Sequence, residues 1–188
     1  MNTIVMKFGG TSVAGTEKIR NIADIVIKEV TNNKIIVVLS AMAGETNKLQ
    51  SFLDDFATQY SLESDLVLTS GEQVTIGLLS AELKNRGVKS IPLLGWQIPI
   101  ITDDSHEKAK ILHIDYKRIE KFFEKNDVIV LAGFQGISLD GEITSLGRGG
   151  SDTTAVAIAS SVDAQRCDIY TDVDGVYTAD PNIDQNAK

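Results

Sequence analysis

The feature that most constrains this chain is an alternation. Short runs rich in β-branched residues recur at 3–8 (TIVMKF), 34–41 (KIIVVLSA), 88–94 (VKSIPLL), 127–133 (DVIVLAG) and 166–171 (RCDIYT). Each reads as a strand buried on both faces, the habit of parallel sheets. Helical periods lie between them. Ile19, Ile22, Ala23, Val26 and Val30 share one stripe, and Leu49, Phe52, Leu53 and Phe56 share another. Residues 72–85 form a third helix, closed by Gly87. Ile119, Phe122 and Phe123 mark a fourth, and residues 153–161 a fifth. The pattern predicts an α/β fold around a mostly parallel central sheet; an α+β domain with separate layers is the competing arrangement. The Asp140-Gly141 pair, flanked by short apolar runs, predicts a hairpin within 134–147. No repeat, low-complexity stretch or Pro- or Ser-rich linker divides the 188 residues, a length that suits one domain.

Charge narrows the range of partners. A net charge of −8 leaves no basic surplus to neutralise phosphates along a strand, which argues against nucleic acid. A few cations and backbone N–H groups can still converge on one small anion, so a nucleotide pocket stays open. Cys167 is the single cysteine, which rules out an intrachain disulfide and reads as a buried, inert thiol. The chain enters a strand-like run at once, without the regions of a signal peptide, and no apolar stretch approaches a membrane span. These observations make a soluble, cytoplasmic protein the expectation and leave self-association open.

In a parallel sheet, ligands gather at the carboxyl ends of strands, where loops lead into helix N-termini. KFGGTS (7–12) carries Gly9 and Gly10, which let the backbone approach a ligand, and Lys7, a point charge suited to phosphate oxygens. It is not a Walker A loop, because the lysine precedes the glycines. A plain glycine turn is the alternative. LSAMAGETNKL (39–49) offers Ser40, Thr46 and Asn47, with Thr46 or Asn47 placed to cap a helix. TSGEQVTIG (69–77) opens a helix with Glu72, which either serves the helix dipole or meets a substrate ammonium.

SLGRGGSDTTA (145–155) is the most informative stretch. Gly147, Gly149 and Gly150 have no packing role to play in a helix or strand interior. Ser151 or Asp152 is expected to cap the next helix, whose N–H groups would face a bound anion. Arg148 can grip a carboxylate with two parallel hydrogen bonds. Asp152 beside phosphates requires a cation or metal between them, a combination suited to phosphoryl transfer. The alternative is a flexible loop with a surface arginine and a capping aspartate. Further on, TDVDGVYTADPN (171–182) holds two tight turns, at Asp174-Gly175 and Asp180-Pro181.

In this order, KFGGTSV (7–13), LSAMAGETNKL (39–49), SGEQVTIGLLS (70–80), AGFQG (132–136), SLGRGGSDTTA (145–155) and YTDVDGVYTADP (170–181) resemble the catalytic domain of the aspartate kinases, in the amino acid kinase superfamily. Glutamate 5-kinases share a TDVDG-like turn but lack the FGGTS run and SLGRGGSDTTA. The resemblance implies a three-layer αβα sandwich and Mg²⁺-ATP-dependent phosphorylation of the side-chain carboxylate of L-aspartate, the committed step toward lysine, threonine and methionine. It implies that Lys7, Phe8, Gly9 and Gly10 hold the transferring phosphates, with Lys7 neutralising charge. Glu72 would take the aspartate ammonium and Arg148 a carboxylate, with Ser40, Thr46 and Ser151 completing that pocket. Asp152 would orient Lys7 and the reacting groups, and Thr171, Asp172 and Tyr177 would surround the adenosine. Asn182 stands where the family usually has an arginine after Asp-Pro, so a weaker hold on ATP is expected; Ile98-Pro99 also departs from the family pattern. The same resemblance sets residues 1–188 as a catalytic domain incomplete at its C-terminal end, without regulatory ACT domains. A glutamate 5-kinase-like activity and a fragment that binds ligand without turnover are the alternatives.

Overall fold

A computed structural model describes residues 2–56 and 62–171. Five parallel strands form the central sheet in the order β3-β6-β2-β1-β9: β1 (Asn2–Phe8), β2 (Asn33–Leu39), β3 (Ser90–Leu93), β6 (Val128–Ala132) and β9 (Arg166–Tyr170). These are the five apolar runs of the sequence. Side chains alternate across the sheet, so each strand feeds two cores. Ile4, Met6 and Phe8 of β1, with Ile35, Val37 and Leu39 of β2, pack against α1 (Thr16–Val30) and α4 (Ser70–Asn85). Val5, Ile36, Val38, Ile129 and Leu131 pack on the other face, against α5 (Tyr116–Phe123) and α6 (Gly150–Ser161). Helices on both faces of a parallel sheet make the three-layer α/β sandwich.

A second sheet of four strands, in the order β5-β4-β7-β8, sits beside the first. Its β7 (Gln135–Ile137) and β8 (Ile143–Ser145) form the expected antiparallel hairpin, with Gly141 at φ +87° in the turn. Its other pair, β4 (Ile100–Thr102) and β5 (Ile111–Ile114), was not legible in the sequence, being only three and four residues long.

Several expectations need correcting. Among the described residues β9 lies at the sheet edge and is only partly buried, so Cys167 is half-buried, not enclosed. Burial still pushes its thiol pKa up, which agrees with an inert sulfur. β3 borders the opposite edge, the position where Pro92 is tolerated. In α2 (Glu45–Asp54) only Leu53 is buried, while Phe52 and, just beyond the helix, Phe56 face outward. Neither Thr46 nor Asn47 caps α2: Gly44, in the left-handed region, holds that place. A further helix, α3 (Leu62–Leu68), precedes α4. It escapes a hydrophobic-period search because it buries Ser64, Asp65 and Leu68 and exposes Leu62 and Leu66. The loop before Glu72 therefore joins two helices instead of following a strand.

Candidate active site

Strand alternation fixes the first functional group. Lys7 shares its face with Val5, so its side chain leaves the end of β1 toward α6 instead of α1. There its Nζ lies 2.6 Å from Asp152 Oδ1, in the first turn of α6. The lysine is nearly buried, whereas the Asp152 side chain is 49% exposed. The contact is a close ion pair without good hydrogen-bond alignment, since Oδ1 accepts no hydrogen bond among the described residues.

Helical periodicity fixes the second. Glu72 falls on the stripe that continues through Ile76, Leu79 and Leu83, so the packing of α4 carries it inward. It is 3% exposed. Its Oε1 accepts from the Ala41 amide at 3.0 Å, but its Oε2 is buried and has no partner among the described residues. Burial pushes the Glu72 pKa from its ordinary 4.5 up to about 7, against the opposing pull of the Ala41 amide.

The third group comes from the loop between β8 and α6. Gly147 and Gly149 adopt φ of +72° and +77°, a left-handed backbone that glycine takes without a steric penalty. Gly149 is the N-cap of α6, so Ser151 and Asp152 sit within the first turn instead of before it, and no side chain among the described residues caps the helix. The positive end of the α6 dipole therefore faces the cavity. Gly150 corrects a further expectation, because it does serve packing: a Cβ there would lie 2.9 Å from both Leu146 and Phe134. Arg148 is exposed and forms no ion pair with any described residue.

These groups converge. Lys7, Gly10, Ser40, Thr46, Glu72, Arg148, Ser151 and Asp152 all line one cavity of about 350 Å³ at the carboxyl ends of β1 and β2. Three predicted residues fall outside it. Phe8 is a core side chain, 1% exposed and stacked on Tyr170 with ring centroids 4.3 Å apart, so it can offer a ligand only its backbone. Gly9 lies behind the Lys7 ammonium without lining the cavity. Thr171 borders a separate space of about 360 Å³ on the α1 side of β1, with Phe8, Lys18 and Tyr170. Asp172, Tyr177 and Asn182 lie outside the described residues.

The cavity also recruits Phe134, which the sequence did not single out. Its φ of +68° is unusual for an aromatic residue, and its amide donates to Thr154 Oγ1 at 3.1 Å. Strain of this kind collects at functional sites, but no side-chain pattern announces it.

A cavity at the carboxyl edge of a parallel sheet, with a lysine on the first strand and a helix N-terminus opposite, is the kind of place where α/β proteins bind anions. The chain belongs to the amino acid kinase family, whose model matches residues 2–188. Over its whole length it is 47% identical to the aspartokinase of Rickettsia felis, of which it covers 48%. Among solved structures it resembles the aspartate kinase from Synechocystis, with a TM-score of 0.80 and 39% identity over 98% of this chain and 31% of that one. It also resembles E. coli aspartokinase III in complex with aspartate and ADP, with a TM-score of 0.81 and 27% identity over 99% of this chain and 53% of that one. The chain thus spans about half the length of the curated relatives it matches. No helix among the described residues is long and apolar enough to cross a membrane.

Proposed function

We propose that this chain is the catalytic domain of an aspartate kinase, transferring the terminal phosphoryl group of ATP to the side-chain carboxylate of L-aspartate. The observation that carries this reading is that Glu72 Oε2, without a partner among the described residues, shares one cavity with an arginine that forms no ion pair among them and with a lysine–aspartate pair. An acceptor with an ammonium and two carboxylates matches that set of charges. Its ammonium satisfies Glu72, which ionises as the cation arrives. Its α-carboxylate meets the Arg148 guanidinium, with Ser40, Thr46 and Ser151 offering hydroxyls around it. The remaining carboxylate is left facing Lys7.

Transfer then needs no covalent enzyme intermediate. A side-chain oxygen of aspartate attacks the γ-phosphorus, the bond to the β–γ bridging oxygen breaks, and ADP leaves with that electron pair. The products are 4-phospho-L-aspartate and ADP. Lys7 balances charge that spreads over the transferring oxygens, Asp152 holds the lysine in place, and the N-terminus of α6 adds its dipole. The backbone at Phe8, Gly9 and Gly10 approaches the phosphates, and Thr171, Asp172, Tyr177 and Asn182 serve the nucleotide. Mg²⁺, when bound, neutralises phosphate charge. It suits a site of this kind because it keeps waters and phosphate oxygens and takes only one or two carboxylates; no group of three or more candidate ligands occurs among the described residues.

The test is ADP release by the chain with L-aspartate and with L-glutamate as acceptor. Aspartate-dependent release that glutamate does not support is the expected result, and preference for glutamate would overturn the acceptor assignment. Arg148→Ala should raise the KM for aspartate by about tenfold or more through loss of a charge-assisted pair. Unchanged aspartate dependence would refute its role.

A further inference from the structure

Behind the cavity lies a carboxylate that the proposed reaction does not use. Asp65, in α3, is 0% exposed and pairs with no Lys or Arg among the described residues. A carboxylate taken out of water is costly unless hydrogen bonds replace its hydration. Here three donors do so, two from neighbouring residues of the loop at 103–110 and one from the end of β8. Ser145 Oγ, the last residue of β8, donates to Oδ1 at 2.5 Å. The Glu107 amide donates to the same oxygen at 3.0 Å. His106 Nδ1 lies 2.7 Å from Oδ2, and its Nε2 lies 3.3 Å from Glu142.

The connections run forward to both ends of the cavity. The Asp65 carbonyl accepts from the Thr69 amide at 3.1 Å and the Thr69 hydroxyl at 2.6 Å, which fixes the turn from α3 into α4 three residues before Glu72. Ser145 lies three residues before Arg148 and two before Gly147. The Ala109 amide donates to the Ser145 carbonyl at 2.9 Å, and a Cβ on Gly147 would lie only 3.0 Å from the Glu107 carbonyl oxygen. The loop at 103–110 is therefore clamped between Asp65 and the start of the Arg148 loop. Glu107 itself sits at φ +65°, a conformation that the hydrogen bond from its amide to Asp65 helps hold.

We propose that Asp65 is a positioning residue for the cavity, one buried carboxylate that fixes how far Glu72 stands from Arg148. The inference rests on the reading of the cavity as an amino acid pocket and deepens it: the two groups that grip the acceptor's ammonium and α-carboxylate are held at their spacing from behind. His106 closes the network on its outer side. Burial pulls its imidazole pKa down, but bonds to Asp65 and Glu142 outweigh this and the net shift is upward. The ring thereby supplies a partial counter-charge to an otherwise uncompensated carboxylate.

The experiment combines amide hydrogen exchange with steady-state kinetics on the full chain carrying Asp65→Asn, and separately Ser145→Ala. Asparagine keeps one acceptor oxygen for Ser145 and the Glu107 amide but turns an NH2 toward His106, so the charge-assisted bond from Nδ1–H to a carboxylate is lost. Exchange should quicken in 103–110 and 146–152 for both variants. The KM for aspartate should rise about tenfold for Asp65→Asn and about threefold for Ser145→Ala, while the KM for ATP stays within about twofold. Should Asp65→Asn fail to fold, Ser145→Ala still decides, because it leaves the carboxylate in place. Variants that melt earlier but keep wild-type exchange in both loops and an unchanged aspartate KM would overturn the proposal. Exchange is read without any ligand, so it decides the matter even for a wild-type chain that released no ADP with aspartate. That last outcome would count only against the proposed function.

Discussion

Two carboxylates line the same cavity in opposite circumstances. Asp152 is half exposed and already in contact with a cation, Lys7. Glu72 is buried, holds one backbone amide, and keeps an oxygen with no partner among the described residues. The first has its counter-ion and, on the proposed reading, positions a lysine, although its Oδ1 accepts no hydrogen bond among the described residues. The second is unfinished, and its pKa of about 7 measures how poorly the protein alone stabilises its charge, a cost of about 3 kcal/mol relative to an ordinary glutamate. On the proposed reading, the carboxylate with a counter-ion shapes the site and the one without receives the ligand.

The largest effect expected from disturbing this contrast is at the Lys7–Asp152 ion pair. Lys7→Met keeps the length of the side chain and removes its charge, leaving Asp152 beside the phosphates without a counter-ion. Turnover should fall by about 10² to 10³-fold with little change in the KM for aspartate, as expected for a group acting on developing charge. A matching rise in aspartate KM without loss of turnover would place Lys7 on the acceptor instead. A smaller and two-signed effect is expected at the unfinished carboxylate. Glu72→Gln should raise the aspartate KM by about tenfold or more. It should also stabilise the free protein, because a buried group that need not ionise costs less.

The sign of the pH dependence follows from the direction of the shift. Between pH 4.5 and about 7 the folded state holds a proton on Glu72 that the unfolded chain has lost. Stability contributed by this group is therefore fully present at low pH and falls as pH rises through that window. The advantage of Glu72→Gln should be negligible near pH 4 and reach a rise in Tm of about 2–4 °C per kcal/mol at pH 8, read by thermal melts across pH. A substitution that lowers Tm at pH 8 would mean that Glu72 is already satisfied and the contrast with Asp152 is false.

Much of this arrangement is legible in the sequence. The five buried runs became the five strands of the main sheet, and the stripe through Ile19, Ile22, Ala23 and Val26 became the buried face of α1. Lys7, Glu72, Arg148 and Asp152 were named from loops far apart in the chain, and one cavity holds them all. What stayed hidden has physical reasons. α3 buries polar residues and exposes leucines, so no apolar period betrays it. Capping was assigned to Thr46, Asn47, Ser151 and Asp152 by side-chain type, yet Gly44 and Gly149 hold the cap positions of α2 and α6 through left-handed backbone. The buried role of Asp65 depends on residues 41, 42 and 80 positions away, and no local pattern encodes such a partnership.

The most direct test is the proton balance of acceptor binding. An ammonium docking on Glu72 favours its ionised form, so L-aspartate binding near pH 6 should release a proton from a carboxyl whose pKa stands at about 7. Calorimetry in buffers of differing ionisation heat reads this directly. Release of most of one proton by the wild-type chain, lost in Glu72→Gln, is the predicted result. Aspartate binding that moves no proton, or moves the same number with glutamine at position 72, would contradict the account.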